Sequence, residues 1–388
     1  MEQTEAKVKT LPAKHHFDFI FFAAVLTICA FGLVMLYSAS YYTAITKHND
    51  GAFFIKKQLI FFAAGLVLML VASHVKFTFW KKPIVDVGIY LLLIVLLAAT
   101  LIWGERINDA TRWLKIFGFQ FQPSEFTKFG VVVVLSALIC SGKLNMQSFV
   151  HGVLHCIILL LPLVVLIFFQ PNYSLIVLLA IISYVMLYLG GTNIKLRFIL
   201  IVVGLTAGIL LLLVEGYRQN RIEAYFHPEK DPTGKSYQII QSRIALANGG
   251  FFGQGFNASR QKLNFLPEME NDYILAIIGE EFGFLGIFLL LAAYFFTIFR
   301  GFVISMRCQD RFGRMLGGGV ISVLAIQTLL NVGVVSSALP STGQTLPFIS
   351  YGGTSLMVFM GAMGIILNIS RYSEVRTKNA RRRAKESE

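Results

Sequence analysis

The stretch Leu266-Pro267-Glu268-Met269-Glu270-Asn271-Asp272-Tyr273 closes a polar segment, 216–270, and runs straight into the apolar stretch Ile274–Phe299, which itself carries Glu280 and Glu281. A carboxylate at a bilayer centre costs at least ~2.5–3.5 kcal/mol on insertion scales. Acidic residues gathered where a long loop meets an apolar helix therefore mark a site.

The surrounding composition settles the class of fold. The chain has 388 residues, 56% hydrophobic and only 14% charged, with a mean hydropathy of +0.68. Soluble domains carry about 25% charged residues, so this is an all-α polytopic membrane protein. Ten apolar segments approach the ~20 residues that cross a hydrocarbon core: 17–38, 54–73, 84–103, 123–141, 149–169, 172–190, 197–215, 271–299, 314–337 and 350–369. The reading is a cytoplasmic N-terminus (1–16), a ten-helix membrane domain (17–369) with a large extracytoplasmic loop (216–270), and a basic cytoplasmic tail (370–388).

The net charge of +13 is distributed for a membrane rather than for nucleic acid. With the N-terminus inside, about 20 of the 34 basic residues fall on the cytoplasmic side, among them Lys81, Lys82, Arg311, Arg314 and the tail run Arg381-Arg382-Arg383, as the positive-inside rule requires. That run suits a juxtamembrane anchor on anionic lipid. The four cysteines, Cys29, Cys140, Cys156 and Cys308, lie in or near apolar segments with no metal-like spacing. Ser38-Ala39-Ser40 follows an apolar run too long for a signal peptide, so the first helix is expected to stay uncleaved.

Two motifs mislead. Gly253-Gln254-Gly255-Phe256-Asn257-Ala258 matches GxGxxG/A without a preceding strand, so tight-turn glycines explain it better than a nucleotide. Thr233-Gly234-Lys235-Ser236 ends like a phosphate loop but lacks the earlier glycine, which is Glu229. No internal repeat of the transporter kind is visible.

The chemistry-bearing candidates lie near the outer helix ends. Asp272 reads either as a helix N-cap or first-turn acid or as a partly desolvated carboxylate with raised proton affinity. Glu270 reads as a solvated loop residue. Glu280 and Glu281 lie about 12 Å along the helix from Asp272, one facing a polar cavity and the other a cation. In Gln122-Pro123-Ser124-Glu125-Phe126-Thr127-Lys128, Pro123 suits a first helical turn, and Glu125 and Lys128 pair at i,i+3. Arg112, Lys115, Arg243, Arg260 and Lys262 read as interfacial anchors or phosphate-binding cations. Buried acids beside such bases suit a lipid-diphosphate substrate.

At these segments the chain resembles the SEDS family of bacterial peptidoglycan glycosyltransferases. Four blocks carry the resemblance: Arg112-Trp113 with Gln122-Pro123-Ser124-Glu125; Tyr237-Gln238-Ile239-Ile240-Gln241-Ser242; Ser259-Arg260-Gln261-Lys262 through Leu266-Pro267-Glu268 to Asp272; and Leu339-Pro340-Ser341-Thr342-Gly343 through Pro347-Phe348-Ile349-Ser350-Tyr351-Gly352-Gly353. The blocks 259–262 and 345–350 look more like the division members (FtsW) than the elongation members (RodA), and sporulation members (SpoVE) share these features.

The resemblance implies polymerisation of lipid II by inverting transfer, with Asp272 catalytic. It places Arg112, Glu125, Lys128, Gln241, Ser242, Lys262, Glu268, Glu281 and Ser350 at the substrate. It also implies a class B penicillin-binding protein as partner alongside other divisome proteins, and residence in the bacterial cytoplasmic membrane at the septum. No metal-ligand motif is visible; a divalent cation (Mg²⁺ or Mn²⁺) enters by resemblance alone. One departure stands out: where the family has an aspartate after the fifth helix, this chain reads Gln170-Pro171-Asn172, and an amide neither acts as a base nor binds a cation by charge. Rival readings are a lipid II flippase and a non-catalytic division scaffold; a flippase needs a polar path to the cytoplasmic side, whereas these clusters sit near the outer ends.

Overall fold

The computed structural model describes residues 17–107, 110–116, 119–214, 225–232, 234 and 236–373. The expected N-terminal segment (1–16), the tail beyond residue 373, part of the long loop (215–224) and the positions Thr233 and Lys235 lie outside the described residues.

The described chain is overwhelmingly helical: α1 (Phe19–His48), α2 (Phe53–His74), α3 (Pro83–Trp103), α4 (Pro123–Ile139), α5 (Leu154–Phe168), α6 (Tyr173–Leu189), α7 (Ile194–Val214), α8 (Tyr237–Gly249), α9 (Ile274–Arg307), α10 (Arg311–Val335) and α11 (Gly353–Ser373). Proline opens α3 and α4, where its missing N–H is no loss. Among the described residues seven helices are long and apolar enough to cross a bilayer: α1, α2, α3, α5 with its preceding turn, α9, α10 and α11; α6 is a shorter apolar helix.

Several boundaries differ from expectation. Helix α1 runs ten residues past position 38, and α11 starts at Gly353 rather than 350. The long loop carries its own helix, α8. Segment 104–122 holds a small antiparallel sheet, β1 (Glu105–Ile107), β2 (Ala110–Ile116) and β3 (Phe119–Phe121), in that order. Alternation in strands this short is too brief to read from sequence.

Side chains are sorted for lipid. Ile84, Val95 and Ile102 of α3 face outward at 83%, 62% and 69% exposure. Polar groups such as Gln58, Gln327 and Asn331 are buried, because hydrocarbon offers them no hydrogen bonds. At the end of the bundle away from the long loop, Asp18 caps α1 by accepting from the Phe21 N–H at 2.8 Å. It also takes a bidentate pair from Arg300 of α9 at 2.9 and 2.8 Å, and its own N–H donates to Ser370 of α11 at 3.0 Å. One aspartate thus gathers three helices.

The decisive irregularity is a break in α9. Gly283 has φ 68° and ψ −166°, far from helical. The freed carbonyls of Glu280 and Glu281 accept from the N–H groups of Gln254 and Gly255, both at 3.0 Å. The N–H groups of Phe284 and Leu285 donate to the carbonyls of Gly250 and Phe251 at 2.9 and 3.1 Å. Segment 250–255 therefore patches the gap with its own backbone, as broken helices inside membranes require. Gly253, with φ +83°, fits because a Cβ there would lie 2.2 Å from the Glu281 carbonyl oxygen. This close approach explains the first glycine of the misleading GxGxxG motif, and the second, Gly255, is explained by its φ of +105°.

Side chains lock the same joint. The Lys262 ammonium, 1% exposed, donates to Glu281 at 2.9 Å, to Ser38 of α1 at 3.2 Å and to Asn257. Ser38 also donates to Glu281 at 2.8 Å. Glu280 accepts from Ser259, from the Gln261 N–H at 3.1 Å and from Asn248 at 3.2 Å. Both glutamates therefore fasten the loop to α9. Removing one member of a buried pair costs ~3–5 kcal/mol, whereas replacing both by apolar residues is often tolerated. We expect Glu281→Leu or Lys262→Met alone to lower the unfolding temperature sharply in detergent, and the double variant to recover most of the loss.

Candidate active site

Asp272 is placed by the turn that precedes α9. Glu268 adopts φ +52°, and its carbonyl accepts from the N–H groups of Asn271, Asp272 and Tyr273 at 3.1, 3.1 and 3.4 Å. The Glu268 carboxylate, exposed, accepts from the Asn271 side chain at 2.5 Å. The N-cap of α9 is Tyr273, so Asp272 is neither the cap nor in the first turn. It stands one residue outside, where helix geometry does not dictate its direction, and it is half-buried.

A second loop closes over it. Asn331 of α10 donates to the Asp272 carbonyl and to the Gln344 carbonyl, both at 2.8 Å. Gly343 has φ +67°, and a Cβ there would lie 3.5 Å from Asp272 Oδ2. Loop 338–352 is braced from below by Gln58 of α2, which donates to the Ser350 carbonyl at 3.2 Å and accepts from the Gly352 N–H at 3.3 Å. The Tyr351 N–H donates to the Glu270 carbonyl at 2.8 Å.

A charged cluster neighbours this loop. Lys128 donates to Glu125 and to Gln327 of α10, both at 2.7 Å, with the Phe359 ring centroid 5.6 Å from its ammonium. The Glu125–Lys128 ion pair thus forms, with side chains 10% and 0% exposed. Glu125 Oε2, also buried, has no hydrogen-bond partner among the described residues. Gln327 in turn donates to the Thr345 carbonyl at 3.0 Å.

Other expected site residues fall elsewhere. Lys262 and Glu281 are sealed in the α9 joint, and the three ammonium hydrogens of Lys262 already have three acceptors. Ser242, fully buried, donates to the Val335 carbonyl at 2.9 Å and pins α8 to the end of α10. Ser350 Oγ accepts from the Leu346 N–H at 2.8 Å and shapes its own loop. Gln241 is half-buried on α8. Arg112 of β2 donates to the Pro171 carbonyl, while Lys115 pairs with Glu105 at 3.5 Å in an exposed contact of little energetic weight. Asn172 is buried at the N-cap of α6 and makes no side-chain cap.

The structure adds residues the sequence reading passed over: Ser38, Gln58, Gln327 and Asn331. Amides at i,i+4 inside an apolar helix were the available signal for the last two, since buried polar groups in membrane spans need partners. Glu270 corrects another expectation. It is buried, not solvated, and burial pushes its carboxyl above the usual carboxylate range, with Glu268 adding a smaller upward push.

A multi-pass helical bundle with a loop-capped carboxylate beside a buried Glu–Lys pair defines a membrane-embedded enzyme-like fold. The family model for FtsW, RodA and SpoVE, described as "Cell cycle protein", matches residues 18–375. The chain belongs to that family. A probable peptidoglycan glycosyltransferase FtsW of Trichlorobacter lovleyi is 38% identical over 91% of this chain and 93% of its own length. The stage V sporulation protein E of Bacillus subtilis is 36% identical over 92% and 97%. Among solved structures, a chain from a peptidoglycan synthase complex studied for coordination of polymerization and crosslinking superposes with a TM-score of 0.75 at 26% identity, over 93% of this chain and all of that one. Thermus thermophilus RodA shares the fold, with a TM-score of 0.68 at 24% identity over 92% of this chain and 98% of its own.

The Glu270 environment sets a pH dependence. With its folded value raised, the group favours folding fully below the ordinary carboxylate value, and that contribution is lost as pH rises through the raised value. We expect Glu270→Gln to unfold at a higher temperature than wild type at pH 7–8, with the difference closing toward pH 4; thermal unfolding in detergent across that range checks it.

Proposed function

We propose that this chain is a peptidoglycan glycosyltransferase that polymerises lipid II into glycan strands, with Asp272 as its general base. The peptidoglycan glycosyltransferase names of its relatives support the activity. The observation that carries the site is the half-buried Asp272 carboxylate, held by its main chain between the 268–273 turn and loop 338–352. Glu280 and Glu281 Oε1, by contrast, are engaged in structural contacts.

In the reaction, Asp272 removes the proton of the acceptor sugar's 4-hydroxyl. That oxygen attacks the anomeric carbon of the lipid-linked donor from the face opposite the leaving group. The bond to the diphosphate breaks, undecaprenyl diphosphate departs with the electron pair, and a β-1,4 linkage forms with inversion. The Glu125–Lys128 cluster contributes a carboxylate oxygen and a cation for the substrate's polar groups, and Arg112 and Glu268 stand as substrate contacts nearer the surface. Lys262 takes no part in neutralising the leaving group, because its three ammonium hydrogens are all taken by Ser38, Asn257 and Glu281.

A divalent cation finds no ready cage: among the described residues no three His, Cys, Asp or Glu converge, and Asn172 supplies only an amide where the family has a carboxylate. The protein works from the outer face of the bacterial cytoplasmic membrane, with both termini inside. Its role is at the division septum with a class B penicillin-binding protein, a reading supported by the FtsW names of several relatives and by the likeness to a synthase complex.

The test is synthesis of glycan from labelled lipid II by purified protein, alongside a cognate penicillin-binding protein with an inactivated transpeptidase. A general base supplies ~10²–10⁴-fold, so Asp272→Asn should lose at least that lower factor while keeping its monodisperse folded peak. Wild-type-like polymer from that variant would remove Asp272 from the role.

A further inference from the structure

Two amide side chains one turn apart on α10, Gln327 and Asn331, are both fully buried. Each faces a carbonyl of loop 338–352: Asn331 donates to Gln344 at 2.8 Å, and Gln327 to the next residue, Thr345, at 3.0 Å. Each also has a second partner outside that loop. Asn331 donates its other hydrogen to the Asp272 carbonyl at 2.8 Å, and Gln327 accepts from the Lys128 ammonium at 2.7 Å. Both neighbours of Asn331 are carbonyls, so its NH₂ must face them. Its own Oδ1 is left buried with no partner among the described residues, a cost accepted for two donations.

We infer that Asn331 is a positioning residue for the Asp272 carboxylate, setting its main chain against the Gly343 loop, and that Gln327 ties the same loop to Lys128. Asp272 lies outside α9, so the helix does not orient it. The fixed relation between the Asp272 carbonyl and the Gln344 carbonyl brings Gly343 to the carboxylate, where a Cβ would sit 3.5 Å from Oδ2. The paired amides thereby hold the base and the Glu125–Lys128 cluster to one frame. Neither amide touches the reacting atoms in this account; each acts through the loop it holds.

The inference rests on Asp272 being the base, so the experiment carries Asp272→Asn as a reference. Asn331→Asp keeps size but offers at most one hydrogen where two are needed; Asn331→Ser keeps one donor on a shorter arm. Initial rates of lipid II polymerisation are measured over a range of lipid II concentrations, per mole of folded protein quantified by the size-exclusion peak. A misplacement near 1 Å can cost ~10²-fold in rate. The expected result is therefore a ~10–100-fold fall in kcat for Asn331→Asp and a smaller fall for Asn331→Ser, with KM moved less than ~3-fold for both, the mark of an interaction expressed in the transition state. Gln327→Glu, which still accepts from Lys128 but cannot donate to Thr345, should show the same split more weakly, and it stands in if Asn331→Asp does not fold.

Wild-type kcat per folded molecule in Asn331→Ser and Gln327→Glu, or a rise in KM with kcat unchanged, overturns the inference. If Asp272→Asn keeps its activity, the reading of the base fails first. If Asp272→Asn is inactive while the amide variants turn over normally, only the positioning role fails.

Discussion

Inside a bilayer no water completes a broken hydrogen bond, so every buried carboxylate, ammonium and peptide group must find its partner within the protein. This constraint sorts the acids clustered around the start of α9. Glu280 and Glu281 satisfy it with Ser259, the Gln261 N–H, Asn248, Ser38 and Lys262. The same residues' carbonyls satisfy it with loop backbone at the Gly283 break. Once those contacts are formed, the long loop is fixed to α9 and α1, and the turn carrying Asp272 has a rigid base. Stability and catalytic geometry therefore share one joint, without sharing residues.

Above that joint, the site is held by main-chain contacts more than by its own side chains. Asp272 is presented by three N–H groups converging on the Glu268 carbonyl and by one amide from α10. Loop 338–352 is held from α2 by Gln58 and from α10 by Gln327 and Asn331. A carboxylate whose main chain is fixed in this way is held in place before substrate arrives, and preorganisation of this kind avoids rearrangement at the moment of reaction. The α10 amides also connect this corner to Lys128 and Glu125, so the base and the buried ion pair belong to one hydrogen-bonded unit.

Much of this was legible in the sequence, and the limits were physical. Apolar composition and span length show a membrane bundle because lipid demands both. Asp272 and the Glu125–Lys128 pair stand out because charges are costly where they lie. The partners were not legible, since Ser38 meets Glu281 across 243 positions and Gln58 meets Ser350 across 292, and no local pattern encodes such pairings. Lys262 read as a phosphate ligand because its spacing could not reveal that Glu281 already held it. Gly283 read as a residue of a continuous helix because an apolar run with one glycine looks the same broken or whole. The glycines at 253 and 255 were the other half of that signal, set apart by nearly thirty positions.

The most direct test of Asp272 as the base is a structure of this protein with lipid II and a growing glycan bound in detergent or nanodiscs. The expected result is the acceptor's 4-hydroxyl within hydrogen-bond reach, about 2.6–3.2 Å, of the Asp272 carboxylate, with loop 338–352 seated on α10 through Asn331 and Gln327. An acceptor hydroxyl lying against another acid, with Asp272 turned away from both sugars, would contradict it.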